Sequence, residues 1–255
     1  MKKSLIAALL AGLFTMPVVA QTGDASKDAV APASPHTLTA NVGLFSSYRF
    51  RGIDQTFGQP ALQGGFDYAH SSGFYVGNWN SNVSEYAGFP EGNLEMDFYG
   101  GYKLPLGDFT LDFGGLYYYY PGSKIGGTGS AVDNFEVYIG ASWKFLSFKY
   151  SHALTDYFDI ADTKNTGYFD LAANYDLGDG WGINGHVGYT AVNGSSDLDY
   201  TDWKIGVTKA IDNWTIGLAY VDTNADEDFY TWVKPSGKDI YSGKATAVLS
   251  VSRTF

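Results

Sequence analysis

The chain has 255 residues, a net charge of −11 and no cysteine, with 20 Tyr, 17 Phe, 6 Trp and 32 Gly. Without cysteine there are no disulfides and no thiolate chemistry, and the acidic balance argues against nucleic acid as a partner. Past the first twenty residues no run approaches the roughly eighteen apolar residues of a membrane helix.

Residues 1–20 carry Lys2 and Lys3, an apolar stretch from Leu5 to Val19, and the small-residue ending Val18-Val19-Ala20. This is the pattern of a cleavable secretory signal peptide. Its removal takes the net charge from −11 to −13. Residues 21–36 are polar, small and Pro-containing and are expected to form a flexible periplasmic leader.

From residue 37 onward the hydrophobicity alternates with period two. In 37–51, Leu38, Ala40, Val42, Leu44, Tyr48 and Phe50 share one face, and Thr39, Asn41, Gly43, Ser47, Arg49 and Arg51 the other. The same alternation marks 92–103, 108–120, 134–145 and 168–177. Weaker versions occupy 61–70, 73–81, 147–155, 181–191, 202–209, 214–221 and 244–255. Twelve is an even number, as a barrel with both termini on one side requires.

The connections alternate in length. Those at 71–72, 104–107, 146, 178–180 and 210–213 are short; those at 82–91, 121–133, 156–167, 192–201 and 222–243 are long, and 52–60 falls on the long side. A soluble sandwich has no reason to sort its loops by parity. An outer-membrane barrel does, with periplasmic turns and outward loops. The fold class is therefore all-β: one antiparallel transmembrane β-barrel of about 12 strands in an up-and-down meander, over 37–255. Aromatics should gather at its two interfaces. Tyr102, Phe109, Trp143, Phe148, Tyr175, Trp181, Trp214 and Phe255 are expected near the short turns. Tyr48, Phe50, Trp79, Tyr117, Phe135, Phe169, Tyr189 and Tyr220 are expected toward the long loops.

The chain ends Val-Ser-Arg-Thr-Phe. With Val251, Leu249 and Ala247 on the face of Phe255, this resembles the carboxy-terminal strand that the barrel-assembly machinery reads. Arg253 stands where that pattern has an apolar residue, at a rim where it can snorkel. Ser47-Tyr48-Arg49-Phe50-Arg51-Gly52 with Gln55-Thr56, the stretch Glu95–Tyr102 and the stretch Glu136–Ser142 together resemble the TorF-type family of outer-membrane porins. Asp54 stands where that family's pattern has Ser, which bears on loop detail. The resemblance implies a pore in the bacterial outer membrane and names no solute.

Twelve strands about 4.8 Å apart and tilted about 40° close to roughly 24 Å across the backbone, leaving about 10 Å between side chains. That suits small hydrophilic solutes. The candidate lining is Arg49, Arg51, Asp67, Glu95, Asp97, Asp112, Glu136, Lys149, Asp170 and Lys204. Arg49 and Arg51 are two apart and should point to one side, as should Glu95 and Asp97. Opposed clusters make a transverse field that selects by charge, and six acids against four bases lean toward cations. The same charges could instead brace the wall as salt bridges, giving a plugged structural or adhesive barrel.

The acidic loops, with Asp156, Asp159, Asp162, Asp197, Asp199, the adjoining Asp202, and Asp222, Asp226, Glu227 and Asp228, could share divalent cations with lipopolysaccharide. The run Asp222-x-Asn224-x-Asp226-x-Asp228 lacks the Gly and Glu of a calcium loop, so neither a metal site nor a cofactor is expected. Catalysis is not expected either. Ser151 and His152 are adjacent on a strand and face opposite ways, and His186 is expected to stand alone in the lumen; a lipid-acting enzyme is the least favoured alternative. Residues 121–133 are long enough to fold into the pore, though nothing in them requires it.

Overall fold

The computed structural model describes residues 34–124, 129, 131–234 and 236–255. The expected signal peptide and most of the leader lie outside these. Twelve strands form the wall: β1 His36–Phe45, β2 Ala61–His70, β3 Phe74–Asn82, β4 Leu94–Leu106, β5 Phe109–Lys124, β6 Ala131–Trp143, β7 Leu146–Ala153, β8 Gly167–Gly178, β9 Trp181–Ala191, β10 Tyr200–Ile211, β11 Trp214–Thr223 and β12 Thr246–Thr254. Each pairs antiparallel with its sequence neighbours, and β1 closes the barrel on β12 with Asn41 opposite Thr254 and Phe45 opposite Ser250. Closure removes the unpaired edges that lipid could not satisfy.

The parity of the loops holds. Residues 71–73, 107–108, 144–145, 179–180 and 212–213 make the tight turns at one end. Asp179 and Gly180 both have positive φ, 51° and 75°, as a two-residue hairpin turn of the primed kind needs. Residues 46–60, 83–93, 125–130, 154–166, 192–199 and 224–245 connect strands at the other end.

The apolar faces point outward. Leu38, Val42, Ile139, Leu171, Ile205, Ile216, Leu218 and Leu249 are exposed at mid-strand, an arrangement stable only against lipid. All eight aromatics expected near the short turns are exposed there. At the rim the Arg253 guanidinium lies 5.3 Å from the Trp214 ring and 4.8 Å from the Phe255 ring, so a charge is tolerated in the last strand. Leu171→Lys, at mid-belt, is expected to destabilise the folded barrel by about 2–4 kcal/mol, read from reversible unfolding in vesicles.

Three of the eight aromatics assigned to the outer girdle face the other way. Tyr48 and Phe50 are buried inside the barrel, and Trp79 turns inward to meet Tyr48 edge-on at 5.4 Å. The cause is the first strand, which ends at Phe45 and not at Arg51. Ser46 is its last link to β12: its N–H donates to the Leu249 carbonyl, and its hydroxyl accepts from the Leu249 N–H. Beyond it the chain leaves the wall and turns into the lumen.

Candidate lumen site

Residues 46–60 form an inward-folded loop. Its core is a short ribbon in which Arg49–Phe50 pairs with Ile53–Asp54 around Arg51 (φ 47°) and Gly52 (φ 82°). Left-handed backbone at two successive residues reverses the chain within two positions. The Asp54 carboxylate is fully buried and fixes the next turn, accepting from Thr56 N, Thr56 Oγ1 and Gly58 N at 2.9, 3.1 and 2.6 Å. The loop is also tied to residues 224–245: Asp54 N donates to the Ser242 carbonyl, and the Trp232 indole donates to the Asp54 carbonyl at 3.1 Å.

The two arginines therefore do not share a side, and neither stands on the wall. Arg49 donates to the carbonyls of Ser242 and Lys244 and to Thr246 Oγ1, next to β12. Arg51 reaches across to β6, where its guanidinium binds both oxygens of Glu136 at 3.0 and 2.8 Å and the Tyr157 hydroxyl at 3.0 Å. The Tyr168 ring lies 4.1 Å beneath it. Arg51 is 8 % exposed and Glu136 2 %, so this is a buried, charge-assisted latch joining the loop to β6, β8 and the loop 154–166. Burial pushes the Tyr157 hydroxyl up to about 12, so it reaches Arg51 as a neutral phenol at any physiological pH.

The remaining predicted lining residues all face inward from strands. Glu95 and Asp97 project from β4 and are fully buried. Glu95 accepts from the Tyr48 hydroxyl at 3.0 Å, while both Asp97 oxygens lack a hydrogen-bond partner. Asp67 accepts from the Tyr99 hydroxyl, and Asp112 from the Tyr75 hydroxyl, itself in contact with the Tyr138 hydroxyl. Lys149 lies 5.5 Å from the Tyr138 ring and directly across the ladder from Asp170. Lys204 faces His186 across the β9–β10 ladder.

His186 is not solitary. Its Nδ1 lies 3.1 Å from Asp170 Oδ1 and its Nε2 3.6 Å from Asp202 Oδ1, with Asp202 also accepting from the Tyr168 hydroxyl at 3.1 Å. Asp202, Tyr168, Tyr157, Tyr48 and Asp54 are the lumen groups that sequence reasoning missed. Asp202, expected beside the acidic loop 192–201, instead points inward, two positions before Lys204 on the same face of β10. Tyr48 and Asp54 were not legible as lumen groups, because period two does not show where a strand stops.

Toward the long loops the barrel is packed shut. Tyr48, Phe50, Phe89, Tyr118, Tyr120 and Val132 form one buried cluster, with Phe89 stacked on Tyr120 at 4.3 Å and Phe158 set edge-on to Phe50 and Tyr118. Of residues 121–133, the first four extend β5 to Lys124 and the last three begin β6 at Ala131; residues 125–128 and 130, on which the expected inward fold turns, lie outside the described residues. Toward the short turns the interior opens. A cavity of about 100 Å³ that opens to solvent lies against Arg51, Lys149, Lys204, Asp170, His186 and Tyr168, with the small side chains Ala172 and Ala219 also lining it. A second space of about 50 Å³ lies between Gly206, Thr208, Gly217, Ser250 and Ser252.

The other candidate sites separate. Ser151 is buried inward, whereas His152 faces out, 3.1 Å from the Tyr150 hydroxyl. In the loop 224–245, Asp226 Oδ1 accepts from Asp228 N and Asn224 Oδ1 from Thr201 N, which are turn contacts. Among the described residues no three His, Asp or Glu side chains converge as metal ligands.

The barrel is similar to solved porins of about the same length. One is a KdgM porin (TM-score 0.54, 9 % identity, 85 % of this chain and 99 % of that one). Another is the NanC porin (TM-score 0.51, 11 % identity, 86 % and 99 %). At such identities the likeness establishes the fold. No curated protein matches the sequence. The family model described as a bacterial protein of unknown function (Gcw_chp) matches residues 29–255, and the chain belongs to that family.

Proposed function

We propose that this protein is an outer-membrane porin, a narrow passive channel for small hydrophilic solutes whose lumen is gated by the inward-folded loop 46–60. The observation that carries the proposal is a closed twelve-stranded barrel with an apolar outer belt, a charged inner face, and a loop, 46–60, that enters the lumen and packs there against Phe89, Tyr118, Tyr120 and Phe158. The likeness of the two porin structures supports the same reading, as does the resemblance of residues 47–56, Glu95–Tyr102 and Glu136–Ser142 to the TorF-type family. Arg51, Lys149, Asp170, Lys204 and His186 are the groups a solute meets below the loop, with Glu136 buried against Arg51. Asp67, Asp112, Glu95 and Asp97 are the acidic groups of the opposite wall, with Glu95 and Asp97 buried beside Tyr48. Arg49 holds the loop and also lines the cavity below it.

The protein reaches the outer membrane through its signal peptide, and its last strand ending in Phe255 engages the assembly machinery. Its loops lie among lipopolysaccharide. We assign it no catalytic role, since Ser151 and His152 face opposite sides of the wall. The second reading, a structural barrel with a plugged lumen, is favoured by one observation, the burial of the Arg51–Glu136 pair.

Single-channel recording of the refolded mature protein in a planar bilayer, with a salt gradient, decides between them. Discrete conductance is expected, with a reversal potential that moves in Glu95→Gln/Asp97→Asn while strand content stays unchanged. An inserted but silent barrel, in wild type and in loop variants alike, would overturn the channel reading and leave the structural one.

A further inference from the structure

The outer belt is interrupted on β3. At mid-depth the outward positions of β1 and of β5 to β12 carry residues such as Val42, Phe113, Ile139, Phe148, Leu171 and Leu249. On β3 the outward residues are Asn78 and Asn80, since the alternating residues Trp79 and Ser81 point inward. Asn78 lies between Phe66 of β2 and Phe98 of β4, both exposed, and Asn80 lies between Gly64 and Met96. Asn78 is the fifth residue of a nine-residue strand, so these amides sit near the middle of the hydrocarbon layer and not at its polar edge.

The amides bond within the wall only in part. Asn78 Nδ2 donates to the Asp97 carbonyl at 3.0 Å, and its other hydrogen makes only a 3.5 Å approach to the Trp79 carbonyl. Asn80 Nδ2 donates to Asn78 Oδ1 at 2.6 Å and to the Gly64 carbonyl at 3.3 Å. Asn80 Oδ1 accepts no hydrogen bond among the described residues. One acceptor and one weakly used donor therefore face a medium that can bond to neither.

We propose that the β2–β4 face is where two copies of this chain meet in the membrane. A twofold contact requires that if residue i of one copy touches residue j of the other, then j also touches i. Asn78 and Asn80 meet that condition: Asn78 Nδ2 of each copy can donate to Asn80 Oδ1 of the other. The two amides already touch within one chain, so their difference in depth is no obstacle. Gly64 beside Asn80, and the outward pair Gly100 and Gly115 on β4 and β5, present no side chain and let a second wall come close. Fatty acyl chains would fill the same hollow but leave the oxygen unbonded. The inference rests on the lipid-facing belt and is independent of whether the lumen conducts.

Because the chain has no cysteine, the test is direct. Asn80→Cys is introduced into the full barrel, refolded into phosphatidylcholine vesicles and oxidised, beside Leu171→Cys on the far wall. A disulfide-linked dimer is expected for Asn80→Cys and not for Leu171→Cys. In lipid nanodiscs the unmodified protein should have twice the monomer mass, and Asn78→Leu/Asn80→Leu should lose that dimer. Equal cross-linking at both positions, or a monomer mass for the unmodified protein, would overturn the proposal. Should the double leucine variant fail to fold, the cysteine comparison still decides. Heat-modifiable migration of each variant confirms that the barrel formed, which keeps a failure of the interface distinct from a failure of the barrel.

Discussion

Arg51→Ala is expected to convert a mostly closed barrel into one that flickers open. The side chain holds the loop to Glu136, Tyr157 and Tyr168 at once, and Phe50 beside it packs against Tyr118 and Phe158. Removing it also leaves Glu136 buried without its cation, which costs about 3–5 kcal/mol. Planar-bilayer recordings should therefore show a higher open probability, and denaturant titration a lower stability. The pairing Arg51→Met/Glu136→Leu separates the two effects: it removes the stranded charge and should restore most of the stability. Arg51→Ala that opens no more often than wild type would mean that the latch only braces the wall.

Replacing residues 47–59 with a Gly/Ser linker of equal length is expected to have the larger effect on flow. Without Tyr48, Phe50 and Phe57 nothing from the loop crosses the lumen, and Trp79, Tyr118 and Glu95 lose their partners on it. The expected result is a continuously conducting channel with unchanged strand content by circular dichroism, since the ladder from β1 to β2 needs none of these residues. A barrel that stays closed would place the block in the cluster of Phe89, Tyr120 and Phe158 above. The pair also orders the two devices. If the linker variant conducts and Arg51→Ala does not, the aromatic packing of the loop is sufficient to hold it without the latch.

Much of this protein is legible in its sequence. Alternation in stretches such as 168–177, where Phe169, Leu171, Ala173 and Tyr175 oppose Asp170 and Asn174, fixes which side faces lipid. A strand's side chains have no other choice once one face must avoid water and the other must avoid hydrocarbon. Loop parity and the even strand count follow from closure in a membrane. So does the inward placement of Glu95, Asp97, Asp112, Glu136, Lys149, Asp170 and Lys204.

The tertiary structure alone decided what fills the barrel. The alternation of Leu38, Val42 and Leu44 misses one position, Ser46, and resumes at Tyr48 and Phe50, so local pattern alone is too weak to mark Phe45 as the end of β1. What ends it is a long-range balance. Arg51 finds Glu136, Tyr157 and Tyr168 only inside a closed barrel, and Tyr48 finds Trp79 and Glu95 there too. These partners are 31 to 117 residues away in sequence and become neighbours only when the ring closes. The same holds for His186 between Asp170 and Asp202, and for the inward turn of Trp79 that leaves Asn78 and Asn80 facing lipid. Period two is set residue by residue by solvent on either side of one strand. Contacts across the lumen are set by the curvature of all twelve, which no single stretch of sequence contains.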